Sequence, residues 1–174
     1  MSRYIGVALI GICAVWATSL LAADMPEIFH PPYAADLPDI AKTPGAADPK
    51  LTAKVLCAKG FTTKSIRNVS AALKHDVYVS YGMTVGKKPC PCEVDHLVSL
   101  EIGGTNDLTN LWPQPYTTMP YNAHVKDALE NKLHKLVCDG TITLDQAQTE
   151  ISTDWVASYK LHGGLPFKIK RPAK

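Results

Sequence analysis

An α+β fold is predicted by three observations. Two short strand-like runs flank a Gly-Gly loop at residues 93–113, amphipathic helical patterns dominate the rest, and no repeat or low-complexity run interrupts them. The chain has 174 residues, 46% hydrophobic and 20% charged, enough to bury one domain's core. That composition excludes a disordered, collagen-like or coiled-coil chain. A formal net charge of +2 supplies no large basic field, so any chemistry on nucleic acid must come from a site.

Residues 1–23 read as a secretory signal peptide. Arg3 supplies the positive start, Ile5 to Leu21 is almost wholly apolar, and Ala22-Ala23 precede Asp24, placing cleavage after Ala22 or Ala23. The alternative is an uncleaved anchor, since the apolar run reaches the lower limit for spanning a bilayer. Cleavage gives a periplasmic or secreted protein with no stable membrane association. Residues 24–50 carry six prolines and predict an extended arm over the surface, with the compact domain running from Leu51 to about 165.

Within that domain, Thr62 to Arg67 predicts a short extended segment. Ser70 is placed to cap a helix through Tyr81, with Leu73, Val77 and Tyr81 on one face and Gly82 as the stop. A strand is expected over Glu93–Leu100 and another over Asn110–Pro113. Val125, Leu129, Leu133 and Leu136 predict a helix from about Asn122 to Cys138, closed by Asp139-Gly140. Thr143 with Gln146 has the pattern of a capping box for a last helix carrying Ala147, Ile151, Trp155 and Tyr159, with Gly163-Gly164 as its end. Residues 166–174 form a basic tail, read as a solvated end.

Loss of the leader removes Cys13 and leaves Cys57, Cys90, Cys92 and Cys138. In an exported chain an even number reads first as disulfides. Cys90-Pro91-Cys92 is tight for a strain-free bridge and too close for the usual zinc knuckle. Cys57 with Cys138 is the favoured pair, which leaves Cys90 and Cys92 to each other or to a metal.

The segment with chemical content is 93–126. Asp95 and His96 adjoin near the end of the first strand, and a bend there could turn both toward one cavity. The carboxylate is a hard oxygen ligand suited to Mg²⁺ or Mn²⁺. The imidazole is a base near neutrality, and an amide such as Asn110 could hold its ring. A ligand from the following helix would complete a one-metal site that activates water beside a phosphate.

The string from Val94 through Asp95-His96, Gly103-Gly104 and Asn106-Asp107 to Asn110-Leu111 resembles the core of the HNH endonucleases. These are ββα-metal nucleases. The likeness covers about 93–130, within a ββα core expected over about 93–138, and Leu111–Pro115 with Lys126–Glu130 is similar to an exported bacterial subgroup of that family. The resemblance implies a small ββα-metal core with additional packed α-helices, and metal-dependent hydrolysis of phosphodiesters in nucleic acid, DNA ahead of RNA. It makes His96 the general base, Asp95 a metal ligand and Asn110 the residue that positions the His. The divalent cation would be Mg²⁺ or Mn²⁺.

The third family position, three residues before Lys126, is Ala123, which cannot bind metal. Asn122 and His124 flank it, and either could take its place. Lys126 is a candidate for the substrate phosphate. Arg67 could meet phosphate or pin a loop to a carboxylate. The competing reading is a catalytically inactive, disulfide-stabilised binding domain on the same scaffold, for which Ala123 is the best support. No protein partner is indicated.

Overall fold

The computed structural model describes residues 36–83 and 90–162. The leader, the first part of the arm, Gly163-Gly164 and the basic tail lie outside the described residues. Helix α1 is a single turn, Ala53–Leu56, and α2 spans Ala71–Ser80. Strands β1 (Cys92–His96) and β2 (Leu111–Pro115) form a two-stranded antiparallel sheet. Helices α3 (Ala123–Cys138) and α4 (Leu144–His162) follow. The protein is thus α+β, with a strand, loop, strand, helix order at its centre. Among the described residues no helix is long and apolar enough to cross a membrane.

Helix ends follow local signals. The Ser70 side chain accepts the amide of Leu73, and Asn122 Oδ1 accepts that of Val125. Gly82 and Gly140, at φ 69° and 76°, stop α2 and α3 in the left-handed region. Thr143 Oγ1 accepts the Gln146 amide, but the Gln146 side chain turns to Glu150, so only half of the expected capping box forms. Inside α4, Asp154 leaves helical geometry (φ −161°, ψ 92°), and its carboxylate accepts the Ala157 amide, recapping the second half.

Helices α3 and α4 pack together through Leu129, Leu133, Ala147, Ile151 and Trp155, all buried with Val77 of α2 and Trp112 of β2. Trp112 therefore serves packing. The Sγ atoms of Cys57 and Cys138 lie at disulfide distance, tying the end of α1 to the end of α3, and Cys90 and Cys92 form a second pair. Both pairs are compatible with an oxidising, extracytoplasmic compartment.

Three expectations need correction. Residues 63–65 form a 3₁₀ turn where an extended segment was expected. The described part of the arm is built into the domain: Thr43 is fully buried, its hydroxyl hydrogen-bonding Tyr81 Oη and donating to Leu111 O, and Trp155 Nε1 donates to Asp36 O. Packing therefore starts by residue 36 and not at Leu51. Finally, β1 stops at His96, four residues early, because a side chain from the second strand's approach captures the chain that follows.

Candidate functional site

That side chain is Asn110, fully buried. Its Oδ1 accepts the amides of Val98 (2.9 Å) and Ala46 (3.1 Å), and its Nδ2 donates to Val98 O and Thr105 O. Every polar position of the amide is used on backbone, so Asn110 fastens the loop between the strands and does not touch the His96 ring. Chain reversal inside that loop needs glycine twice. Gly103 sits at φ 84°, and a Cβ on Gly104 would lie 1.7 Å from Val98 O.

His96 ends β1 opposite Leu111, with only 2% of its surface exposed. Its ring is held by Asn106, which reads in sequence as turn punctuation. Asn106 Nδ2 donates to Ile66 O at 2.9 Å, and Oδ1 accepts the Asn68 amide at 3.0 Å. Those two partners fix which end of the amide is oxygen. His96 Nε2 lies 3.2 Å from that Oδ1. An amide oxygen has no hydrogen to give, so Nε2 carries the proton and Nδ1 carries the lone pair. Burial pushes the His96 pKa below its ordinary 6.5. Asn106 and Asp95 pull it upward, and the charges of Arg67 and Lys126 press it down further. The outcome is a neutral imidazole at physiological pH with a defined tautomer.

Asp95 stands opposite Trp112, one step back along β1. Its Oδ2 accepts from Lys126 Nζ at 2.7 Å. Lys126 is fully buried, and its ammonium also donates to His96 O at 2.7 Å and to Glu130 Oε1. Three hydrogens meet three acceptors, so the expected contact with a substrate phosphate is corrected: this lysine is saturated inside the protein. Its pKa is raised, since Asp95 and Glu130 together outweigh the opposing effect of burial. Glu130 also accepts from the Ser99 hydroxyl at 2.9 Å. Burial, with the like charge of Asp95, pushes its pKa up to about 7 against the pull of Lys126. One cation thus serves two carboxylates, and the second is under-compensated.

Neither candidate for the third ligand joins this group. Asn122 spends its Oδ1 on the α3 cap. His124 is 68% exposed, stacks on Tyr116 with centroids 5.2 Å apart, and lies 3.9 Å from Asp127. Among the described residues, the only trio of His, Cys, Asp or Glu ligand atoms within 4.8 Å of one another is Cys57, His134 and Cys138. Asp95, His96 and His124 therefore form no three-ligand cage, and Cys90 and Cys92 do not converge with His96. A hydrated Mg²⁺ or Mn²⁺ asks less, since one or two carboxylates suffice when water and substrate oxygens fill the octahedron. Asp95 fits that role, because its Oδ1 makes no hydrogen bond among the described residues.

Arg67 is exposed and forms no ion pair among the described residues, yet its charge is felt at His96. Among the described residues it is a cation whose charge acts on the imidazole without being taken up by a carboxylate. Glu93 accepts from the hydroxyl of the exposed Tyr116 at 3.0 Å. Matching this chain against protein-family models, curated proteins and solved structures finds no match in any of the three.

Proposed function

We propose that this chain hydrolyses phosphodiester bonds in nucleic acid, with His96 Nδ1 taking the proton from the attacking water. The observation that carries this reading is the Asn106–His96 hydrogen bond, which puts the ring proton on Nε2, so that a ring kept neutral by burial has its lone pair on Nδ1. The strand, loop, strand, helix order, with His96 ending the first strand, supports carrying over the activity of the HNH endonucleases that the sequence resembles. The paired cysteines support the accompanying proposal of export to the periplasm or beyond.

Each residue then has a defined part. Asn106 positions the His96 ring, and Lys126 holds the Asp95 carboxylate and the His96 carbonyl in register. Arg67 contacts a non-bridging phosphate oxygen. Asp95 anchors Mg²⁺ or Mn²⁺, which when bound offsets charge developing on the phosphate. Modest overall charge suits an enzyme that holds its substrate through a few local contacts.

Cleavage of plasmid DNA and of RNA by the purified protein, with Mg²⁺, Mn²⁺ or EDTA, tests the activity. Folded protein that cuts neither substrate with either metal would favour the inactive binding domain. The pH profile then tests the roles. The acid limb of kcat/KM is expected below the ordinary imidazole value of 6.5. Asn106→Leu removes an acceptor that favours the imidazolium, so the limb moves to lower pH. Arg67→Gln removes a repelling charge, so the limb moves to higher pH while KM rises. Opposite shifts identify direct action on His96; two variants that alter stability alone would leave the limb in place.

A further inference from the structure

We infer that Cys57, His134 and Cys138 form a second site, a redox-gated one that binds Zn²⁺ when the Cys57–Cys138 disulfide is reduced. The geometry is set by two helices. Cys57 caps the end of α1, while His134 and Cys138 stand four residues apart on one face of α3, the spacing at which helical side chains meet. The Cys57 and Cys138 sulfurs and a His134 ring nitrogen all fall within 4.8 Å of one another. His134 Nε2 is 3.4 Å from Cys138 Sγ and 3.3 Å from Leu56 O. Two thiolates and an imidazole are a zinc donor set, with water available for the fourth tetrahedral position.

A neighbouring group is otherwise unexplained. Glu101 Oε2 is buried and has no hydrogen-bond partner among the described residues, and the charge of His134 acts on this carboxylate. Metal-bound histidines are commonly oriented by a carboxylate in this way. With metal bound, Glu101 would supply that second partner to the His134 ring.

Cys138 is exposed, so a reductant can reach the bridge. The step requires a dithiol reductant. Its thiolate attacks one sulfur, and its second thiol releases the mixed disulfide, so two electrons and two protons arrive on Cys57 and Cys138 while the dithiol becomes a disulfide. Zn²⁺ then displaces both thiol protons to solvent, and His134 binds as the neutral base. In an oxidising compartment the bridge holds the helices together; under reduction the metal replaces it. This site is separate from His96 and stands whether or not the chain is a nuclease.

Co²⁺ titration of the full-length protein tests it, in a background with Cys13, Cys90 and Cys92 changed to Ser. The oxidised protein is expected to show no thiolate-to-cobalt charge-transfer band. After reduction with a phosphine, the band should rise to saturation at a single Co²⁺ per chain and vanish when Zn²⁺ is added. Cys138→Ser should abolish it, and His134→Gln should weaken binding and change the ligand-field spectrum. Glu101→Gln should weaken binding about tenfold, as expected for an outer carboxylate. Absence of the band after reduction overturns the site, whether the reduced chain is folded or unfolded by circular dichroism. So does a band that survives Cys138→Ser, or His134→Gln binding Co²⁺ as tightly as the parent.

Discussion

Changing His96 to Ala is expected to lower phosphodiester cleavage by about 10²–10⁴-fold, the usual contribution of a positioned general base. The protein should stay folded, because the polar contacts that fix this corner are made mainly by Asn110 and Lys126. Asn110 holds the loop through four bonds to backbone, and Lys126 reaches the His96 carbonyl, which the alanine variant keeps. Asn106 loses one partner but keeps Ile66 O and the Asn68 amide. The loss should therefore fall on kcat, with circular dichroism and substrate affinity little changed. Cleavage that persists undiminished in a folded His96→Ala protein would assign the base elsewhere.

Lys126→Met has the opposite signature. Removing the ammonium pushes the Glu130 pKa still higher, so Glu130 takes up a proton while Asp95 is left without its cation, and breaking a buried pair in this manner costs about 3–5 kcal/mol. Against a total stability of about 5–15 kcal/mol, that is a large share. Urea unfolding should show a much lower midpoint. Glu130→Gln is the informative companion. With its pKa pushed up to about 7, Glu130 already carries a proton on a sizeable fraction of molecules near neutrality. A neutral amide can accept from Lys126 and donate to Ser99, so this change should cost about 1 kcal/mol or less. A Lys126→Met protein with an unchanged midpoint and a raised KM would return Lys126 to the phosphate.

Helix ends decided within a few residues could largely be read from the sequence. Ser70, Asn122 and Gly82 act on their own turns, so α2 and α3 were legible nearly to the residue. The end of β1 was not, because Asn110 captures Val98 from twelve residues away in the chain. Asp95 and His96 stood out by type and setting. Their partners did not, since Asn106 looks like any turn residue and Arg67 stands alone in sequence. Lys126 misled because a lysine near a helix start reads as solvated. One signal could have found it: Ala123, Lys126, Glu130, Leu133 and Val137 share a stripe of α3, and a Lys–Glu pair four apart within an apolar stripe marks a buried ion pair. The proline-rich arm misled in the reverse sense, because Thr43 and Asp36 find their partners only in the folded core.

The proton transfer proposed for this chain passes through one nitrogen, and the state of that nitrogen can be observed without substrate or metal. Two-bond ¹H–¹⁵N correlation of the His96 ring in the folded protein reports protonation and tautomer together. The expected spectrum at pH 7 is a neutral ring with its proton on Nε2, turning to imidazolium only below 6.5, the ordinary histidine value. A proton on Nδ1, or a ring already charged at pH 7, would contradict the assignment of His96 as the base.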